Sequence, residues 1–461
     1  MNKRIIGIIL SASVFFSAYF LAPAGSSDES VIKAAAVLLL GVILWVTEPI
    51  PQGAGAVLML FVPSLLGAAD LKQTLAAFAS PVLFFVIATF GFSAAISKVP
   101  LAKRILMIIL KKMGSSIERL ILAFMTATAL ISSLMSNIPA TLMFMSTSLS
   151  LLTLYDNDED RRKTGRALMI SLPIAGMLGG SVTPAGSSNN LLALSFLEEF
   201  AGAGIGFLDW IIICLPIVLI ILPISWFIII KVFRPVPIEK SRIEEFIAEL
   251  EMQGSLSRKE KLTVTVIAAM VVLWIMSAWI PALDITVTAV CGMAFMFLPG
   301  IELFTWEEFQ AEVSWSTVLM IGCVLSIGSI INSSGIAVIL SESFFKIDSG
   351  ASFVSVIAKL AVFMCIMQII LPNGPAAVSA VSVPVMISAS SAGIDPALLM
   401  IPLCIYCSWS VILPLNPVPM LTYSAGYYKL TDIGRVGIPV LIILAAVCAV
   451  WLPFICGVVL H

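Results

Sequence analysis

The sequence predicts an all-α protein that crosses a membrane many times. Hydrophobic residues make up 60% of the 461 positions and charged residues only 11%, too little charge to cover a soluble globule. Apolar runs of roughly 17 or more residues recur from Ile5 to the C-terminus, and each can cross a hydrocarbon core of about 30 Å as a helix. A third observation, an internal repeat, predicts two related halves.

The apolar runs indicate about ten to twelve membrane spans. The first, within 1–29, has the positive start and apolar centre of a signal peptide. Its apolar stretch is nearly of span length, so we expect an uncleaved first helix with a cytoplasmic N-terminus. The segments that we predict as single membrane spans lie at about 5–23, 32–48, 53–69, 76–97, 167–196, 204–232, 263–281, 283–299, 313–334, 397–425 and 433–458.

Basic residues predict the orientation in the membrane. They form three clusters beside apolar runs, at 103–119, 161–166 and 231–261. By the positive-inside rule all three clusters lie in the cytoplasm, so we expect a multi-pass protein of the plasma (inner) membrane. Basic clusters that adjoin membrane spans do not favour nucleic-acid binding.

Two apolar segments, 120–153 and 352–392, do not fit single spans. Each has roughly 35–40 residues and a proline–asparagine interruption near its centre, whereas a span needs about 20 residues. A helix–turn–helix hairpin that enters and leaves on one side fits this length, because two crossing helices would need longer arms. Arg119 before the first segment and the charged run after it place both of its ends in the cytoplasm.

The internal repeat relates the two hairpins. The motif SNIPA begins at Ser136 and PNGPA at Pro372, 236 positions later, and SPVLFF around Val82 matches STVLMI around Val318 at the same offset. Fainter pairs, LWVTEPIP with LWIMSAWIP and VTPAGSSNN with ILPLNPVPM, have offsets of 229 and 230. Four pairs in the same order indicate duplication.

We therefore expect two halves, 30–232 and 263–461, joined by a cytoplasmic amphipathic linker over 233–262. Counted from a cytoplasmic N-terminus, the second half begins with the opposite orientation. The repeat is then inverted, and the two re-entrant hairpins enter from opposite sides. This architecture is typical of secondary transporters.

The interruptions bring hydrogen-bonding groups into the bilayer. Broken helices expose carbonyl oxygens that suit a hard cation such as Na⁺, and helix N-termini that suit an anion. The first hairpin and the following run GGSVTPAGSSNN supply Ser132, Ser136, Asn137, Thr183, Gly186, Ser187, Ser188 and Asn189. These residues predict a sodium site next to an anion site.

Missing residue types exclude other chemistries. The single histidine is the terminal His461, so histidine catalysis and histidine metal sites are excluded, and the eight cysteines indicate membrane-buried thiols rather than a redox or zinc pair. The segment 120–153 and the breaks at Thr183 and Pro414 contain no lysine or arginine, and the carboxylates lie near span ends. We therefore expect no cofactor, and sodium rather than proton coupling.

Six stretches carry a resemblance to a known family; in order along the chain they are LWVTEPIP, SNIPATLMF, GGSVTPAGSSNNLL, SWSTVLMIG, PNGPAAVSAVSVPV and LPLNPVPMLTYSAGYYKLTDI. They resemble the divalent anion:sodium symporter (DASS) family of dicarboxylate, citrate and sulfate transporters. The resemblance covers about Ile32 to Trp451. It implies scaffold and transport domains, two opposed re-entrant hairpins, and a homodimer that works by an elevator mechanism.

The resemblance also implies site residues. The Ser-Asn-Thr motif of each family hairpin tip falls on 136–138 and on 372–374, and a hydroxyl residue four positions earlier falls on Ser132 and on Gln368. The implied sodium ligands are Ser132, Ser136, Asn137 and Gly186, with Gln368 and Asn373 as a second cation site. The implied substrate-binding residues are Ser136, Asn137, Thr183, Ser187, Asn373 and Asn416.

The predicted function is sodium-coupled uptake of a small di- or tricarboxylate, or another divalent anion, with sodium, the anion, the bilayer and a second copy as partners. A sodium-independent anion exchanger of the same fold is an alternative, and a sensor that has lost transport is another. A membrane hydrolase using Ser136 would lack a histidine or midplane lysine to activate the serine, so no enzyme activity is predicted.

Overall fold

The computed structural model describes residues 3–22, 27–114, 116–202, 204–251, 254–280, 282–348, 350–371, 373–409 and 411–459. Over these residues all regular structure is helical. The predicted all-α polytopic class is confirmed. His461 and Pro372 lie outside the described residues.

The first half and the linker contain twelve helices over the described residues. They are α1 (Lys3–Leu21), α2 (Ser27–Thr47), α3 (Gln52–Leu66), α4 (Leu71–Ala76), α5 (Pro81–Ser97), α6 (Leu101–Met113), α7 (Ile117–Ser132), α8 (Asn137–Leu152), α9 (Asp158–Gly180), α10 (Ser188–Phe196), α11 (Phe207–Phe233) and α12 (Lys240–Glu251). A 3₁₀ turn at Pro184–Gly186 lies between α9 and α10.

The second half contains ten more helices over the same described ranges. They are α13 (Arg258–Met276), α14 (Ile285–Phe295), α15 (Trp306–Glu312), α16 (Trp315–Ser333), α17 (Ile336–Phe344), α18 (Phe353–Ile370), α19 (Gly374–Ser391), α20 (Pro396–Ser408), α21 (Pro417–Tyr423) and α22 (Asp432–Val459).

The order of helices repeats between the halves. The series α2 to α11 has the same order of elements as α13 to α22: two helices, a short helix before a longer one, a short connecting helix, a helix–turn–helix pair, a broken helix and a long final helix. That this order reflects a duplication stays a prediction. The inversion of the second half stays a prediction.

Several predicted spans are shorter or broken. Within the described residues, seven helices are long and apolar enough to cross a membrane, or eight if the pair 71–79 and 81–97, bent by 44°, is one span. Helices α3 and α14 have 15 and 11 residues, about 22 and 16 Å at 1.5 Å per residue. The spans predicted at 167–196 and 397–425 are interrupted after α9 and after α20.

The chain divides into two compact units. The first comprises Met1–Val86, Leu191–Gly204 and Ser314–Cys407. In this unit α16 packs against α2, α3, α4 and α19, and α19 also contacts α17 and α18. The second hairpin, α18 and α19, therefore belongs to unit 1.

The second unit comprises Ile87–Asn190, Ile205–Val313 and Ser408–His461. Its centre is α9, which packs against α7, α8, α11 and α21, while α11 also packs against α22. The first hairpin, α7 and α8, and the breaks that precede α10 and α21 belong to this unit. Each unit contains helices from both halves of the repeat.

The basic clusters meet the linker within unit 2. Arg104 on α6 pairs with Glu260 and donates from Nη1 to the Gly254 carbonyl at 2.9 Å. Arg242 on α12 donates to the Leu154 carbonyl at 2.7 Å, after the open end of the first hairpin. The linker is thus attached to α6 and to the α8–α9 connection, and the three basic clusters share one end of the unit.

Glu260 is held as a carboxylate by its partners at this end. Hydrogen bonds from Arg104 lower the pKa of Glu260 to about 2, and the Ser257 backbone amide adds a bond of 2.7 Å. Glu260 and Ser257 also form a capping box at the start of α13. The carboxylate therefore fixes both the first turn of α13 and its contact with α6.

Candidate functional site

The tip of the first hairpin is a tight turn over 133–136. The amides of Ser133 and Leu134 bond to the carbonyls of Ala129 and Ile131, each at 3.0 Å. Asn137 then begins α8, and Pro139 falls in its first turn, where a missing amide hydrogen costs no helical bond. The proline that interrupts the apolar sequence is therefore the start of the second arm.

Glycines on α9 allow this tip to approach closely. A Cβ at Gly179 would lie 2.2 Å from the Ala129 carbonyl oxygen, and one at Gly180 would lie 2.0 Å from Asn137 Oδ1. A side chain at Gly179 would clash with the backbone of α7, and one at Gly180 would displace the Asn137 amide. The tip of the hairpin thus packs directly on a side-chain-free face of α9.

Neutral oxygens converge at Asn137. Ser132 Oγ donates to the Gly176 carbonyl at 2.7 Å and lies 2.7 Å from the Asn137 side-chain amide. The atom of the Asn137 amide that faces Ser132 Oγ is also 3.2 Å from Gly176 O and 3.1 Å from Gly186 O. A Cβ at Gly186 would come within 2.9 Å of the Ser132 carbonyl oxygen, so this backbone oxygen also adjoins the group.

Either the nitrogen or the oxygen of the Asn137 amide can occupy this position, with different consequences. With nitrogen at this position it donates to Ser132 Oγ and to the carbonyls of Gly176 and Gly186. With oxygen at this position it faces other acceptors, which only a cation or a donor can satisfy. The oxygen orientation suits a hard cation.

The break after α9 is held open by side chains. Thr183 Oγ1 donates to the Ser133 carbonyl at 2.5 Å and accepts from the Gly186 amide at 3.2 Å. Asn190 Nδ2 donates to the Gly180 and Thr183 carbonyls at 2.8 and 2.9 Å. The unwound backbone is therefore fixed next to the hairpin tip.

Four of the residues predicted for the sodium and substrate sites are thus brought together: Ser132, Asn137, Thr183 and Gly186. Ser136 and Ser187 are half-buried beside them in sequence; Ser136 makes no side-chain bond to the first turn of α8, and Ser187 Oγ accepts from the Asn189 amide at 3.3 Å.

Asn416 occupies an equivalent local position at the second break. Its Oδ1 accepts from the Val418 amide at 3.2 Å, and Pro417 follows as the first residue of α21. Thr183 and Pro184 have the same cap-and-proline arrangement. Because α21 packs against α8 and α9, this break belongs to the surroundings of the first hairpin.

The tip of the second hairpin has different partners. Asn373 caps α19 through a bond from the Ala376 amide at 3.3 Å, and its Nδ2 donates to Gln52 Oε1 at 3.0 Å. Gln52 Nε2 donates in turn to Glu48 Oε1 at 2.7 Å. A carboxylate–amide–amide chain therefore reaches this tip from the start of α3.

Gln368 is buried and donates to the Tyr406 carbonyl on α20. It contacts a different element from Asn373, so the two predicted second-site residues have separate partners. The second hairpin also contains a basic residue: Lys359 on α18 donates to the Lys346 carbonyl and lies over the Phe345 ring, 5.7 Å from its centroid.

Other site residues were missed from the sequence. Thr141 Oγ1 is buried and would lie 2.7 Å from a Cβ at Gly176, and Asn190 and Gln52 make the bonds given above. Thr141 follows Asn137 by four positions and so shares its helix face, a signal available in the sequence. In the described ranges, no three His, Cys, Asp or Glu side chains group as a metal site.

The known proteins that this chain resembles in sequence are membrane transporters. The family model for the sodium:sulfate symporter transmembrane region matches residues 2–457. A sodium-dependent dicarboxylate transporter, SdcS of Staphylococcus saprophyticus, is 23% identical over 94% of this chain and 88% of its own length. Sodium-dependent high-affinity dicarboxylate transporter 3 of Caenorhabditis elegans is 22% identical over 86% of this chain and 78% of its own.

Two solved structures share the fold. The YdaH transporter of Alcanivorax borkumensis superposes with a TM-score of 0.55 at 13% identity, over 86% of this chain and 89% of that one. MtrF of Neisseria gonorrhoeae, described as representing a class of antimetabolite efflux pumps, gives a TM-score of 0.58 at 13% identity, over 96% and 97% of the chains.

Proposed function

The chain belongs to the sodium:sulfate symporter family, and from this membership we propose that it is a secondary active transporter that couples sodium entry to the uptake of a small di- or tricarboxylate. The membership confirms the family resemblance of the sequence and makes the chain a membrane transporter rather than an enzyme. The relatives named as sodium-dependent dicarboxylate transporters support the coupling ion and the substrate class.

The observation that carries the proposal is the group of neutral oxygens at the first hairpin tip. One atom of the Asn137 side-chain amide lies within hydrogen-bond distance of Ser132 Oγ and of the carbonyls of Gly176 and Gly186. Oxygen ligands without a formal charge suit Na⁺ better than a transition metal. Helix breaks that offer carbonyl oxygens inside a membrane are typical ion sites of secondary transporters.

The Asn137 amide links ion binding to the shape of the tip. In the absence of sodium its nitrogen satisfies the two carbonyls and Ser132 Oγ. With sodium bound, its oxygen turns inward as a ligand, and the carbonyls bind the ion in place of the amide hydrogens. A rotation of one side chain then replaces the amide hydrogens with the ion as the partner of the two carbonyls and Ser132 Oγ.

The anion is proposed to bind next to the ion. The first-turn amides of α8 begin at Asn137, and a helix N-terminus favours negative charge. Ser136 and Ser187 offer half-buried hydroxyls there, and Asn416 lies at the start of α21. Thr183 is engaged as donor and acceptor, so its proposed role is to hold the break that positions these groups.

The second tip is proposed to bind sodium more weakly. Gln368 and Asn373 remain the candidates for a second cation site, and the role of Asn373 in substrate binding stays a prediction. Both side-chain amides of this tip already donate to other groups, Tyr406 O and Gln52 Oε1. We therefore expect fewer coupled ions than two equally strong sites would give.

Orientation, assembly and mechanism follow the family expectation. We propose that the protein lies in the plasma membrane with the basic end of unit 2 in the cytoplasm. It is proposed to form a homodimer, to move substrate by an elevator mechanism, and to present its two hairpins as re-entrant segments from opposite sides.

Uptake into proteoliposomes tests the proposal. Labelled succinate, malate, citrate and sulfate are offered under an inward sodium gradient and with choline in its place. We expect sodium-dependent accumulation of at least one carboxylate. Exchange that needs an internal anion and ignores sodium would replace the symporter with the alternative exchanger, and binding without flux would identify a sensor.

A further inference from the structure

The two helix breaks of unit 2 meet at a buried polar junction. Asn189, at the start of α10, donates from Nδ2 to Ser408 Oγ, at the end of α20, at 3.1 Å. Trp409 follows directly. The three residues are 6%, 4% and 4% exposed, so their polar atoms are removed from solvent.

Two atoms at this junction lack a hydrogen-bond partner among the described residues: the acceptor Asn189 Oδ1 and the donor Trp409 Nε1. In the structure the Asn189 amide nitrogen faces Ser408 Oγ, and the amide oxygen is the end without a partner. Two other buried indoles of unit 2 are satisfied, since Trp210 and Trp274 donate to backbone carbonyls at 3.0 and 3.2 Å. Buried polar groups in native proteins are almost always bonded, and because these two atoms belong to the helix breaks beside the proposed ion site, we infer a bound ligand as their partner.

The junction is continuous with the ion site. Asn189 donates its backbone amide to Ser187 Oγ at 3.3 Å, and the preceding residue is Gly186, whose carbonyl oxygen lies 3.1 Å from the Asn137 amide. Asn189 therefore lies three residues after Gly186 along the unwound backbone, and its bond to Ser408 brings it to the residue that precedes Trp409.

The unused atoms define a complementary ligand. An indole N–H is a donor only and suits a carboxylate oxygen, whereas an amide oxygen is an acceptor only and suits a hydroxyl. The breaks at 181–187 and 409–416 contain no basic residue, so a carboxylate here relies on neutral donors. A dicarboxylate without a hydroxyl leaves Asn189 Oδ1 unsatisfied.

Building on the proposed function, we propose that Trp409 and Asn189 determine substrate specificity. Trp409 donates to a substrate carboxylate, and Asn189 accepts from a hydroxyl on the adjacent carbon. The pair selects 2-hydroxy di- or tricarboxylates over their unsubstituted analogues. A site that hydrogen-bonds a hydroxyl discriminates strongly against the analogue that lacks it, because the buried acceptor is then unpaired.

Malate and succinate, which differ by one hydroxyl, provide the test. Their KM values are measured in proteoliposomes with the full-length protein, its Asn189→Leu and Asn189→Ala variants, and Trp409→Phe. We expect wild type to prefer malate, and both Asn189 variants to raise the malate KM roughly tenfold to a hundredfold while changing succinate little. Trp409→Phe is expected to raise both KM values roughly tenfold.

The matched control is Trp45→Phe. Trp45 on α2 in unit 1 is also buried with an unpartnered indole nitrogen, and its replacement is expected to leave both KM values unchanged. Sodium activation is expected to be unchanged in all four variants. A wild type that does not distinguish malate from succinate, or Asn189 variants that alter both substrates equally or shift sodium activation instead, overturns the inference.

Thermal shift by malate separates this inference from the proposed function. If wild type shows no sodium-dependent flux but is stabilised by malate more than by succinate, and the Asn189 variants lose that difference, the specificity pair holds and symport fails. If sodium-driven flux is present and malate selectivity is absent, symport holds and the specificity pair fails.

Discussion

Gly180→Ala tests whether the first hairpin tip binds the coupling ion. A Cβ at Gly180 would lie 2.0 Å from Asn137 Oδ1, whereas ordinary van der Waals contact begins at 3.4 Å. The amide of Asn137 must therefore retreat by about 1.4 Å, the difference between these distances. The substitution adds one methyl group and removes no polar atom.

The size of the effect follows from the bonds that this retreat breaks. The amide position lies 2.7 Å from Ser132 Oγ and 3.1 Å from Gly186 O, and a retreat of this size takes it out of reach of at least two neighbours. In the sodium-bound state the amide oxygen occupies this position, so its retreat removes a ligand from the ion, and a contact to a charged group is worth about 1.5–3 kcal/mol. Sodium affinity is then expected to fall roughly 10- to 150-fold.

The assay is the sodium concentration that gives half-maximal anion uptake in proteoliposomes. Gly457→Ala on α22 is the matched control, because nothing lies within 4 Å of a Cβ built there. Gly180→Ala is expected to shift sodium activation and Gly457→Ala to leave it unchanged. If Gly180→Ala folds with wild-type thermal stability and wild-type sodium activation, the assignment of Asn137 to the ion site is refuted.

Three further outcomes are expected. Gly179→Ala places a methyl group against the backbone of α7 and should lower the thermal unfolding temperature in detergent by several degrees. Gly180→Ala should not lower it. A Gly179→Ala variant that unfolds at the wild-type temperature would contradict the close packing of α7 on α9. Gln52→Leu breaks the chain to Asn373 and should reduce uptake severalfold, while Glu48→Gln keeps the acceptor and should not; equal loss in both would assign a role to the Glu48 charge. Since the pKa of Glu260 is lowered to about 2, its ion pair stabilises the protein above the ordinary glutamate pKa of about 4.3 and this contribution is lost as pH falls toward 2. Glu260→Gln should therefore unfold at a lower temperature than wild type at pH 7, with the difference shrinking between pH 5 and pH 3.

Local backbone chemistry made the breaks predictable. Asn137 and Pro139 start an arm, and Thr183 with Pro184 starts a turn, because prolines and caps act on the residues next to them. The structure brings Ser132, Asn137 and Gly186 together, and their role in binding an ion stays a prediction. Helices α6 and α17 were missed because they are too short to appear as membrane spans.

Contacts between distant residues were not predictable. Asn373 and Gln52 are 321 positions apart, and Asn189 and Ser408 are 219 apart. No local pattern relates either pair, since tertiary packing alone brings them together. The same limit applies to Trp409, which reads as an apolar residue until its burial and its unused N–H are known.

The central claim is that sodium bound at the first tip drives uptake. Its most direct test compares wild type with Asn137→Ala, measuring initial rates of labelled malate uptake over a series of inward sodium gradients in vesicles with equal protein incorporation. The account predicts a rate that rises with sodium in wild type and is nearly flat and low in Asn137→Ala. Uptake with the same sodium dependence in both proteins, or uptake in wild type that is indifferent to sodium, would contradict it.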